Sequence, residues 1–100
     1  MLRRVVLAMP QVFKFGGYRV YFWVNEGRPR EPVHVHISEG EPQPHATKIW
    51  ITEAGGALLA NNNSGIPSAD LTDLVDLVAA QSQFVVDKWL QVFGSVSYYC

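Results

Sequence analysis

Two histidines one residue apart, in Glu31-Pro32-Val33-His34-Val35-His36-Ile37, are the side chains of this 100-residue sequence with the clearest chemical potential. Side chains alternate along an extended strand. His34 and His36 therefore share one face while Val33, Val35 and Ile37 take the other, and the imidazoles start about 6–7 Å apart at the backbone. Imidazoles titrate near neutral pH, so such a pair can hold a metal, grip a phosphate or divide acid and base roles. For phosphodiester cleavage, His34 and His36 would be the catalytic pair. Arg28, Arg30 and Lys48 would stabilise phosphate charge, the guanidinium forks by paired hydrogen bonds. A metal site needs further ligands. Glu39, Glu41 and His45 follow in the next loop, but neither CxxC nor HExxH occurs, so neither a metal nor a cofactor is assigned.

Each of these residues also has a structural reading. The histidines can face solvent or bond to neighbouring loops, and Arg28 and Arg30 can pair with Glu26 and Glu31. Tyr21, Trp23 and Trp50 serve a small core more readily than they serve base stacking. Several chemistries are discounted outright: no Gly-rich phosphate loop precedes a helix, no G-x-S-x-G occurs, and no cysteine has a catalytic partner.

The length and a hydrophobic content of 48% suit one domain with one core. Residues 1–30 carry six basic side chains against Glu26 alone, whereas residues 31–100 carry Lys48 and Lys88 against eight carboxylates. That asymmetry fits either a phosphate-facing front and an acidic back, or two halves that neutralise one another. The one cysteine, Cys100, rules out an internal disulfide and points to a reducing compartment. The apolar run after Arg4 is too short for a secretory leader, and no run approaches the ~20 residues of a membrane span. The expected location is the cytoplasm.

The elements that must position the histidines are strands. Val12-Phe13-Lys14-Phe15 and Tyr18 to Val24 flank Gly16-Gly17, a two-residue hairpin turn. Residues 25–32 form a Pro- and Gly-rich loop that launches the histidine strand, 33–38. Further strands are expected at Thr47–Thr52 and Ala57–Ala60. Pro67-Ser68 then opens a helix with Ser68 as N-cap and Asp70, Asp73 and Asp76 toward its positive end. Leu71, Leu74, Val75, Val78, Val85, Trp89 and Val92 keep helical spacing across the polar Gln81-Ser82-Gln83, predicting one long helix, bent there at most and capped by Gly94. The expected fold is α+β: an antiparallel β-meander of four to five strands with a long C-terminal helix packed on one face. Residues 9–94 form the domain, 1–8 an extension or extra strand, and 95–100 a tail.

Met9-Pro10, Phe13-Lys14-Phe15-Gly16-Gly17-Tyr18-Arg19, Asn25-Glu26-Gly27, the histidine block, Lys48-Ile49-Trp50-Ile51, Trp89 and Phe93-Gly94 together resemble the small bacterial family catalogued as domain of unknown function 4160. The resemblance runs over residues 9–94. It departs in a longer loop around Arg28-Pro29-Arg30, in Val33 where a second proline is common, and in residues 1–8. The family has no established activity. Its members are often encoded beside a small protein of another unknown-function type, 2442, as suspected toxin–antitoxin pairs. The resemblance therefore implies a toxin-like protein with an antitoxin partner, acting on RNA or translation through the His-x-His strand, as a metal-independent ribonuclease if it is an enzyme. The alternative is a non-catalytic interaction module that forms a homodimer or binds a small partner protein, through its sheet face or through the acidic helix that carries Asp73 and Asp76.

Overall fold

The computed structural model describes residues 11–24 and 31–100. The candidate residues Arg28 and Arg30, and the extension 1–8, lie outside the described residues. Five strands form one sheet: β1 (Gln11–Phe15), β2 (Tyr18–Tyr21), β3 (His34–Glu39), β4 (Thr47–Ile51) and β5 (Ala57–Asn61). Each pairs antiparallel with the next, in the spatial order β1-β2-β3-β4-β5, so the sheet is a meander with β3 at its centre. The β1–β2 turn lies where the glycines put it. Phe15 faces Tyr18 across it, and Gly16 takes the left-handed conformation, at φ 58°, that a side chain would resist.

One face of the sheet is apolar by alternation. Val20, Phe22, Val33, Val35, Ile37, Ile49 and Ile51 are buried there, joined by Ile66, Leu74, Val78, Val85, Val86 and Trp89. Burying each such aliphatic side chain contributes about 1.5–3 kcal/mol before entropy is charged against it. This is the α+β architecture expected, with the helical layer on one face.

The helical layer itself differs from expectation. Two helices stand in place of one: α1 (Ser68–Ala80) and α2 (Ser82–Phe93). At the break, the Gln81 N–H is shared between the carbonyls of Leu77 and Val78, and Ser82 Oγ donates to the Gly55 carbonyl at 2.9 Å. The turn between β4 and β5 thus holds the start of α2. The N-cap is Pro67 rather than Ser68, and no side-chain cap bond is made there. Proline suits the first positions of a helix because its missing N–H has no intrahelical partner to lose. Along α2 the buried face is Val85, Val86 and Trp89, with Phe93 packed against the core, while Val92 is exposed. Positions 92 and 93 are both compatible with helical spacing, and the larger ring takes the inward one. Gly94 ends α2 as expected, at φ 79°, with its N–H on the Leu90 carbonyl.

Beyond Gly94 the chain turns back onto the sheet. Val33 N–H donates to the Ser97 carbonyl at 2.9 Å, and Glu53 N–H to the Cys100 carbonyl at 3.0 Å. Residues 95–100 are therefore tied at two points to the ends of β3 and β4. No helix among the described residues is long and apolar enough to cross a membrane.

Candidate functional site

Cross-strand partners share a face, so the register decides what surrounds the histidines. His36 lies opposite Tyr21 of β2 and Lys48 of β4, and His34 lies opposite Trp50. The second face of the sheet therefore carries Tyr21, His34, His36, Lys48 and Trp50 together, as alternation predicts.

These side chains form a continuous series of ring contacts. Centroid separations are 5.4 Å from Trp23 to Tyr21, 5.8 Å from Tyr21 to His36 and 5.0 Å from His36 to His34. The series continues at 5.7 Å from His34 to Trp50 and 4.7 Å from Trp50 to Tyr99. Most contacts are edge-to-face, the geometry that the ring quadrupole favours. The last differs, because Tyr99 stacks on Trp50 with the planes only 8° apart. His34 is also met by Trp89 of α2 at 5.4 Å.

The imidazoles are enclosed by this arrangement. His34 has no exposed surface and His36 retains 6%. His34 Nδ1 lies 2.9 Å from the Pro32 carbonyl oxygen, which can only accept, so Nδ1 carries a hydrogen and that bond fixes the ring's orientation. Tyr21 is buried too. Its hydroxyl donates to the Gln43 carbonyl and accepts from Ser38 Oγ at 3.0 Å and from the Gln43 N–H at 3.1 Å. An imidazole held among rings and backbone bonds reaches a polymeric phosphate only if the rings above it move.

Lys48 is on the histidine face, opposite His36, and it is already engaged. Its Nζ is 3.0 Å from Glu31 Oε1 and 4.2 Å above the centroid of the Trp50 ring. The side chain is one-fifth exposed, so the ion pair is only partly screened by water. Glu39, Glu41 and His45, the further ligands a metal would need, are exposed, and Glu41 lies 3.8 Å from Arg19. No group of three or more His, Cys, Asp or Glu among the described residues is placed to hold a metal ion. His45 instead borders a polar cleft of about 460 Å³ with Ser38, Glu39, Gln43 and Ser64.

Two features escape reading by composition and spacing. Tyr99, 61% exposed, is the outermost ring of the series, and it arrives from the tail. Beside β4, β5 is an edge strand carrying Leu58, 45% exposed, and Leu59, 38% exposed. The available signal for the second feature is the pair of adjacent leucines in a strand with no charged residue between Glu53 and Asp70.

A family model described as "Domain of unknown function (DUF4160)" matches residues 17–90. The chain belongs to that family. No curated protein and no solved structure gives a significant match to it.

Proposed function

We propose that this DUF4160 chain is a protein-interaction module that works through the open edge of its sheet. The supporting observation is β5: a terminal strand whose two leucines, 45% and 38% exposed, lie on opposite faces, in a stretch of sequence with no charged residue between Glu53 and Asp70. An edge strand presents unpaired N–H and C=O groups, and sheets that avoid pairing protect such edges with lysine or proline, neither of which occurs in Ala57–Asn61. A bulge where β5 pairs with Lys48 and Ile49 twists only the Asn61 end of the strand. Strand addition supplies affinity through the backbone and specificity through alternate side chains, here Leu58 on the histidine face and Leu59 on the helix face.

A second reading keeps the toxin-like, RNA-directed role that the family resemblance implies, with His34 and His36 as acid and base and Arg28, Arg30 and Lys48 on phosphate. It is favoured by one arrangement, the stack of Tyr99 on Trp50 with Lys48 over the same ring, because an exposed ring next to a cation is a platform for a nucleobase.

One experiment tests both. The chain is expressed alone and with a small partner of the 2442 type, in three forms: wild type, Leu58→Lys with Leu59→Lys, and His34→Ala with His36→Ala. Mass in solution, growth and RNA integrity are then measured. The interaction reading expects assemblies larger than the 11.2 kDa chain that the double lysine variant loses and the folded double alanine variant keeps. A mass of one chain in both settings overturns it. Growth arrest and RNA cleavage that vanish only in the double alanine variant would support the second reading in its place.

A further inference from the structure

We infer that the occupant of the β5 edge is a second copy of this chain, its own β5 running antiparallel about a two-fold axis at Leu58; this rests on the interaction reading above. The backbone directions follow from the bonds already made. Ile51 N–H donates to the Val33 carbonyl at 3.1 Å, so the polar groups of Ile51 turn toward β3. Ala57 is the partner of Ile51 in β5, and in an antiparallel ladder both members of such a pair turn their groups away from each other. The N–H and C=O of Ala57 therefore point out from the sheet edge. Those of Leu59, two residues on and in regular register with Ile49, do the same, while those of Leu58 turn inward to Trp50. The bond from Thr52 N–H to the Gly56 carbonyl has the same parity.

This short, regular segment is complementary to itself. With the axis at Leu58, Ala57 of one copy lies opposite Leu59 of the other, and each such pair exchanges two backbone hydrogen bonds. Leu58 meets Leu58 as the non-bonded pair between them, where side chains come closest. A small side chain faces a large one on the helix side, and two leucines meet on the histidine side. Trp50 and Tyr99 stand behind Leu58 there and extend the apolar surface. No charge lies between Glu53 and Asp70, so a copy meets a copy without like-charge repulsion at the strand. Such an isologous contact closes at two chains, because each copy spends its β5 edge in making it. One continuous sheet results, with both helical layers on the same side.

The register gives a sharp test. A non-bonded antiparallel pair has Cα atoms about 4.5 Å apart, within disulfide range, whereas the two Leu59 positions lie roughly 8 Å apart. In a Cys100→Ser background, Leu58→Cys and Leu59→Cys are oxidised separately with no partner protein present, and the wild-type chain is sedimented over a range of concentrations. The expected results are a disulfide-linked dimer for Leu58→Cys alone, a mass rising toward twice 11.2 kDa, and association about tenfold weaker in Leu58→Lys with an unchanged circular dichroism spectrum. A single-chain mass at every concentration, or linkage at position 59 in preference to 58, overturns the self-pairing. If a 2442-type partner is still captured in an edge-dependent way, only the second-copy inference falls; if it is not captured either, the interaction reading falls with it.

Discussion

Tyr18 is the residue whose protonation the fold alters most plainly. Its hydroxyl donates to Asp70 Oδ2 at 2.8 Å, joining β2 to the first turn of α1. That hydrogen bond first, then partial burial and the nearby charges of Asp70 and Glu39, push the phenol from 10.0 up to about 12. A phenol with a raised pKa binds its proton more tightly in the folded chain than in the unfolded one. Its contribution to stability is thus complete below pH 10 and is lost as the pH climbs from 10 toward about 12. Ultraviolet titration of phenolate should show a late-ionising component that belongs to Tyr18. Asp70→Asn should bring it back toward 10, and Tyr18→Phe should delete it. A titration unchanged by Asp70→Asn would mean that the bond does not govern the ring. The histidines follow another logic: their face is set by alternation, but their enclosure is set by Trp89 and by the rings around them.

Among the elements, the α1–α2 break has an identifiable cause. Ser82 is buried, and its hydroxyl donates to the Gly55 carbonyl 27 residues earlier in the chain. Ser82→Ala should cost about 0.5–1.5 kcal/mol, the net worth of one such hydrogen bond. The expected signature is a lower urea midpoint with an unchanged slope, and a midpoint equal to the wild type would remove this bond as the anchor. The same break marks where sequence reasoning stops. Strands were legible because Gly16-Gly17 and the alternation in Val33–Ile37 and Thr47–Thr52 are local signals, as is Gly94 after a helix. Gln81-Ser82-Gln83 contains no helix breaker, so a stop imposed from a distant turn left no local trace. The site divides in the same way. Which face bears His34, His36 and Lys48 could be read from spacing, whereas Tyr99 on Trp50 and Glu31 on Lys48 are contacts between distant segments that no period encodes.

At the scale of the whole molecule, the meander distributes protection unevenly. β3 has neighbours on both sides, the apolar core on one face and the ring series on the other, so His34 to Ser38 are all buried. Among the described residues β5 has one neighbour, and by the ladder's alternation its Ala57 and Leu59 amides point away from it. Amide exchange reads this difference directly, since a buried central strand exchanges through global unfolding and an outward edge amide exchanges from the native state. In dilute solution the Ala57 and Leu59 amides should exchange fast while the Leu58 amide, bonded into β4, is slowed. Raising the protein concentration should slow the first two and leave the rate at Leu58 nearly unchanged, because pairing at the edge adds partners only to the amides that lack them. The β3 amides should be slowest throughout. Exchange at Ala57 and Leu59 that ignores concentration would place the contact between copies elsewhere on the chain, and protection already complete in dilute solution would mean that the edge is covered from within.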